Sequence, residues 1–249
     1  MRSPAKTKLS FGGPISPMVK TMIVINVLFY VCSLLVRNKG FVDGMSYQMI
    51  LVELLGVSPD RVLKDFAVWQ LFSYMFMHLE FFHLLFNMLA LYWFGSELEW
   101  TWGSKKFLNY YFFAGIGAGL VSTLLKIPTI GASGAIFALL LAYGLMFPNR
   151  VLYIYFVIPI KAKYAVMAFG LLELISLLNA GPNTRINHAA HLSGLAFGAL
   201  WFLYMKYQHH FYALWLSFKQ PKRKKPNLKV LRFDKANNEE DEDTKPTIH

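Results

Sequence analysis

Between residues 107 and 205 the chain carries just six Asp, Glu, Lys or Arg side chains: Lys126, Arg150, Lys161, Lys163, Glu173 and Arg185. Soluble domains keep about a quarter of their surface charged in order to stay dispersed, so a stretch this long and this bare does not belong in water. The rest of the chain agrees: 55% of residues are hydrophobic and 16% charged, with a mean hydropathy of +0.39. Disorder is excluded on the same grounds, except at the ends. The single cysteine, Cys32, excludes an intramolecular disulfide framework and a cysteine-rich zinc site. The expected fold class is all-α, a polytopic helical bundle in a membrane.

A crossing helix needs about 20 mainly apolar residues to cover about 30 Å of hydrocarbon. Six stretches are expected to serve: 17–36, about 71–94, 107–125, 133–147, 163–178 and 187–205. Ser16 is read as the N-cap of the first, with Pro17 at its first helical position. No small-residue cleavage site follows this first run, so it is expected to remain as an anchor. Residues 151–160 are apolar but too short to cross as a helix, and are read as an interfacial or re-entrant connection. Residues 37–70 mix Met49, Ile50, Leu54, Leu55, Val62 and Leu63 with polar side chains, a pattern of short amphipathic helices on a membrane face. The resulting division is a segment at 1–16, a six-helix membrane domain at 17–206 and a charged, mostly disordered tail at 207–249.

Lys and Arg in short flanks orient such a bundle. One side gathers Arg2, Lys6, Lys8, Lys20, Lys105, Lys106, Arg150, Lys161, Lys163 and the run Lys222 to Lys225. The other holds fewer basic residues, interspersed with Asp43, Glu53, Asp60 and Asp65. Both termini are therefore expected in the cytoplasm, and the protein in the cell (inner) membrane. The net charge of +11 invites a nucleic-acid reading, but the first 20 residues carry +4 and residues 206–249 a further +4. Charge placed there sets topology and meets anionic lipid, so the expected surroundings are the bilayer, with no nucleic acid.

Against this background, polar side chains inside spans are costly and mark function. They fall on spans two, four and six, which run in one direction, so their first turns share one depth. Span two has His83 and Asn87, four apart and on one face. Span four opens with Gly131-Ala132-Ser133-Gly134, and span six has His188 and His191 near its start. Gly134, Ala138 and Ala142 on one helix, and Ala190, Gly194 and Gly198 on the other, repeat small residues every four positions, which lets helix backbones approach closely in a bilayer. Spans four and six are therefore expected to pack, bringing Ser133 and His191 within reach. A neutral histidine can take the serine proton. An acyl-transfer oxyanion needs aimed donors, which the Ser133 backbone N–H, His83 and Asn87 can supply. No carboxylate is expected to complete a triad: Glu173 is placed mid-span as an interhelical hydrogen-bonder, and Glu99 lies at the far end of span two. No cofactor is expected. No metal is expected either, because no acidic or cysteine ligand is foreseen beside His188 and His191.

These residues resemble the rhomboid intramembrane serine proteases. Trp69, Ser73, Phe76 and His78 look like that family's W-x-x-x-(S/T)-x-x-F-x-H. His83 with Asn87, and Gly95 with Glu99 and Gly103, are similar to its H-x-x-x-N and G-x-x-x-E-x-x-x-G. Gly131 to Gly134 matches G-x-S-G, and Ala190, His191, Gly194 and Gly198 match A-H-x-x-G-x-x-x-G. The likeness covers roughly residues 20–205. It implies Ser133 as nucleophile, His191 as general base, an oxyanion site of His83, Asn87 and the Ser133 amide, and Glu99 as a structural tie between span two and its loop. Family members often have a tyrosine four residues after the nucleophile, stacked on the histidine, and Phe137 stands there.

The implied activity is a serine endopeptidase cutting transmembrane protein substrates in the outer leaflet, with a preference for spans that unwind easily and a small residue before the scissile bond. Span four, about 22 Å long, is shorter than the hydrocarbon, so its start should lie below the surface in a wet cavity reached through residues 126–132. The alternative from another class is a non-proteolytic binder that escorts membrane clients. A transporter ranks third, since no inverted repeat or charged midplane pathway is visible.

Overall fold

The computed structural model describes residues 13–37, 40–42, 45–154, 157–181 and 187–219. By contact the chain falls into two units, Met1–Tyr207 and Gln208–His249. The bundle lies in the first, and only the last helix runs on into the second. Helix α1 (Pro17–Val36) begins on a proline, which fits the first turn because that N–H has no partner there. Ser16 precedes it but does not cap it with its side chain. The cap comes instead from Glu99, which accepts from the Met18 and Val19 N–H groups at 3.0 Å each and from the Ser16 hydroxyl.

A short ribbon, β1 (Phe41–Val42) with β2 (Met45–Ser46), leads to α2 (Tyr47–Leu55) and α3 (Pro59–Lys64), two short helices where the sequence predicts them. The predicted span at 71–94 differs in form. Helix α4 (Gln70–Ser73) and a 3-10 turn (Tyr74–Phe76) are separated by an extended break from α5 (Phe81–Ala90), a π turn (Leu91–Gly95) and α6 (Ser96–Trp102). The two parts bend by 97°. No Pro or Gly marks the break, so periodicity runs straight through it. The break is tertiary in origin. The Tyr74 carbonyl accepts the Gly131 N–H at 2.8 Å, and His78 Nε2 lies 3.5 Å from the Ala132 N–H.

Helix α7 (Ser104–Leu124) presents Gly115, Gly117 and Gly119, where a Cβ would strike Met75, Phe197 and Tyr74. Its Ser122 and Thr123 hydroxyls bond back to carbonyls four residues earlier, which satisfies them inside an apolar helix. The chain then reverses through Lys126 (φ 58°) and a bridge between Val57 and Thr129. Helix α8 (Ser133–Met146) follows and is buried along most of its length. Tyr110 of α7 donates to the Ala138 carbonyl at 2.6 Å. Pro148, just past the end of α8, cannot continue it.

Residues 151–160, expected as an interfacial or re-entrant connection, lie almost wholly in a hairpin of β3 (Val151–Ile154) and β4 (Ile158–Lys161), with Val151 opposite Lys161 and Ile154 opposite Ile158. Branched and aromatic residues favour the extended form, and Pro159 is tolerated because both strands of a two-stranded ribbon are edges. Then come α9 (Ala162–Leu178) and α10 (His188–Lys219). Helix α10 runs past the predicted end at 205, taking up 14 residues read as tail or its border. Residues 1–12 and 220–249, the remaining predicted terminal segments, lie outside the described residues.

Among the described residues, Pro17–Val36 and Ser104–Leu124 are each long and apolar enough to cross a membrane, the bent pair Gln70–Phe76 with Phe81–Trp102 qualifies as a third, and Ser133–Met146 is apolar but shorter. The molecule is a polytopic helical membrane bundle.

Candidate active site

The start of α8 is built by three close approaches. Gly131 has φ +100°, and a Cβ there would lie 2.5 Å from the His83 ring, so this turn admits only glycine. It delivers the chain to Ser133, the first residue of α8, whose N–H is one of the four donors a helix start leaves unpaired. One residue on, Gly134 touches α10: a Cβ on Gly194 would lie 1.9 Å from the Gly134 carbonyl oxygen. Gly198 lies close over Ala138 and under the Tyr110 hydroxyl, where a Cβ would have no room. Backbone therefore meets backbone along the α8–α10 seam, beside the two polar residues.

That packing sets the central distance. Ser133 Oγ lies 2.8 Å from His191 Nε2, within the range of an O–H···N hydrogen bond. The Phe137 ring stacks on the imidazole with centroids 4.4 Å apart and planes at 15°, so the aromatic position after the serine keeps its contact without a hydroxyl. Asn187 caps α10 by accepting the Ala190 N–H at 2.9 Å. Its amide also donates to Ser122 at 2.9 Å and Thr129 at 2.6 Å, tying the histidine helix to α7 and to the bridged segment before the serine.

His83 and Asn87 sit one turn apart on α5, and the Asn87 amide donates to the His83 carbonyl at 2.9 Å. Both line one cavity with Ser133, Phe137 and His191. The cavity, about 2370 Å³, is also lined by Phe86, Ala90 and Phe94 and by Ala165, Phe169 and Leu172 of α9. Glu99 lies elsewhere. It is buried between Ser104, at 2.6 Å, and the start of α1, so it ties the end of span two to the residues that follow it and, beyond the expectation, to α1 as well.

Three contributors go beyond the sequence expectations. His78 is fully buried behind the Gly131–Ala132 turn, its ring edge against His83 at 4.9 Å. Asn187 is legible in the chain as a helix cap but not as a cross-link. The third corrects an expectation. A carboxylate does stand beside the histidines: Glu173 Oε2 is 2.6 Å from His188 Nδ1 and 3.0 Å from His191 Nδ1. The reason is simple connectivity. Helices α9 and α10 are consecutive, so Glu173, shortly before the turn, falls level with residues shortly after it. These three donor atoms lie within 4.8 Å of one another, a set with the reach to hold a cation. The individual spacings, however, are those of hydrogen bonds.

The Rhomboid domain family matches residues 65–208 of this chain. Among individual proteins, Rhomboid protease GlpG of Haemophilus influenzae is 31% identical over 169 residues, covering 67% of this chain and 81% of that protein. RHOMBOID-like protein 1 of Arabidopsis thaliana is 25% identical over 207 residues, covering 74% of this chain and 51% of its own length. The mitochondrial Rhomboid protein 1 of Saccharomyces cerevisiae is 34% identical over 142 residues, covering 52% of this chain and 40% of its own length. These likenesses support a role in intramembrane proteolysis, within a family of serine proteases that act on transmembrane substrates.

Proposed function

The chain belongs to the rhomboid family, and from that premise we propose that it is an intramembrane serine endopeptidase working through a Ser133–His191 dyad. The observation that carries this reading is the 2.8 Å contact between Ser133 Oγ and His191 Nε2 at a cavity wall. Ser133 Oγ attacks the scissile carbonyl carbon while its proton passes to Nε2. The oxyanion meets the Ser133 N–H, with His83 and Asn87 as further donors. His191 then returns the proton to the departing amine, and the released chain leaves Ser133 as an ester. Water, losing a proton to Nε2, adds to the ester carbonyl. The bond to Oγ then breaks, Nε2 returns the proton to Oγ, and the second chain leaves with a new carboxyl terminus.

A largely apolar cavity lined from both α5 and α9 suits an apolar substrate segment, which fits a single-span membrane protein. Six spans, with both termini in the cytoplasm of a cell inner membrane, put the start of α8 in the outer leaflet. At 14 residues α8 extends about 21 Å, so the serine lies below the membrane surface. Loop 125–132 and the break before α5 form irregular backbone at that depth, which is tolerable where it lines a wet cavity.

The test uses protein reconstituted in liposomes with a model single-span substrate. Wild type should cleave it near the outer boundary. Ser133→Ala and His191→Ala should each fall by about 10³-fold or more, because the pair acts as a unit. Cleavage retained in Ser133→Ala would sink the mechanism.

A further inference from the structure

Glu173 is the one acidic residue between positions 107 and 205, and it stands on a helix that also carries the exposed Met167, Leu171, Leu174 and Ile175. A carboxylate in such a place is expensive unless something holds it. Two imidazoles do. Oε2 takes the His188 Nδ1 at 2.6 Å and lies 3.0 Å from Nδ1 of His191, the ring nitrogen opposite the one that meets Ser133.

Resting on the protease reading above, we propose that Glu173 is a positioning residue for the reaction, which extends the Ser133–His191 pair to a serine–histidine–carboxylate relay drawn from α8, α10 and α9. Its first role is the tautomer. A neutral imidazole has one proton for two nitrogens, and a carboxylate beside Nδ1 keeps it there. Nε2 then presents a lone pair to the serine hydroxyl, the form a general base needs. Its second role is charge. When Nε2 takes the serine proton the ring becomes a cation in an apolar, half-buried site, and the negative oxygen at 3.0 Å offsets that cost. In the resting arrangement Nδ1 of His191 is sealed from solvent and has no aligned hydrogen bond among the described residues. The carboxylate stands close but off the N–H axis. Such contacts are often loose at rest and tighten as charge develops. His188, one turn before His191, grips the same oxygen and fixes where the carboxylate sits.

The groups around the imidazole are then Glu173 from α9, Ser133 from α8, His188 on its own helix and His83 on the cavity wall from α5. The carboxylate favours the charged ring. Without it the charged ring that forms during the reaction loses its counter-charge, and kcat falls.

The experiment measures kcat and KM of the reconstituted full chain on a model single-span substrate at about pH 7. Glu173→Gln should lower kcat by about 10²-fold and leave KM within about twofold. His188→Ala leaves the carboxylate beside His191, so its kcat should fall by less than about tenfold. If Glu173 were merely a tie between helices, the two variants would lose activity equally, and the proposal is overturned. Wild-type kcat in Glu173→Gln overturns it as well. Should Glu173→Gln not purify folded, Glu173→Asp decides. Its retreating charge should cost about tenfold in kcat with KM unchanged, whereas wild-type behaviour overturns the proposal. Equal cleavage by wild type and Ser133→Ala would remove the protease reading and this proposal together. Serine-dependent cleavage with an unaffected Glu173→Gln removes this proposal alone.

Discussion

Helices α8 and α9 are both short and apolar, and each holds one polar residue of the site, yet they occupy opposite environments. Helix α8 buries Gly134, Ala135, Ala138, Leu139, Ala142 and Gly144, so neighbours close in on it from several sides. Helix α9 buries Ala162 and Ala165 and leaves Met167, Leu171, Leu174, Ile175 and Leu178 exposed. Hydrophobicity does not separate them. In lipid an aliphatic side chain gains little by leaving the bilayer for the protein, so what draws a helix inward is backbone that can be approached. Side-chain size, more than apolarity, decides that Ser133 is held in a rigid interior while Glu173 comes from the rim.

The contrast between the two helices is tested hardest at the seam. Gly194→Ala places a Cβ 1.9 Å from the Gly134 carbonyl oxygen, and both sides of that contact are backbone. The α8–α10 seam has to open, at a cost of about 3 kcal/mol or more, read as a lowered thermal midpoint in detergent. Cleavage should fall about 10²-fold, because opening the seam separates Ser133 from His191. A smaller effect is expected where α8 meets α9. In Gly144→Ala the new Cβ would lie 2.4 Å from a Val166 methyl, and α9 can shift outward to make room. The expected loss is about 1 kcal/mol in the same melt, with cleavage within about threefold of wild type. The smallest effect belongs to the outer face: Leu171→Ala, at a residue 58% exposed, should change stability by less than about 0.5 kcal/mol. A Leu171→Ala loss as large as that of Gly194→Ala would mean that the two helices do not differ in the way described.

The same contrast explains what can be read from the sequence. The α8–α10 seam is legible because small residues at four-residue spacing leave a direct trace in the chain. His83 with Asn87, and Ser133 with His191, follow from helix geometry once direction is assigned. The break at residues 77–80 is not legible, because Met77, His78, Leu79 and Glu80 include no helix breaker. Its cause lies 54 residues further along the chain, in the Gly131–Ala132 turn that hydrogen-bonds into it. Sequence reasoning ties Glu99 to its own loop, since nothing local shows that the start of α1 delivers two free N–H groups to it. It reads Glu173 as an interhelical hydrogen-bonder, as it is, but does not place it beside the two histidines. A carboxylate shortly before a turn and two histidines shortly after it are level in an antiparallel pair, and that signal is present in the residue order.

Catalysis as described depends on His191 activating Ser133 as a nucleophile. Intact-protein mass spectrometry of the reconstituted chain after exposure to a fluorophosphonate probe, with the adduct located by peptide mapping, reads that activation without a substrate. One adduct is expected, on Ser133, in the wild type, and none in Ser133→Ala or His191→Ala. An unmodified wild type that is otherwise folded, or an adduct that persists in His191→Ala, would contradict it.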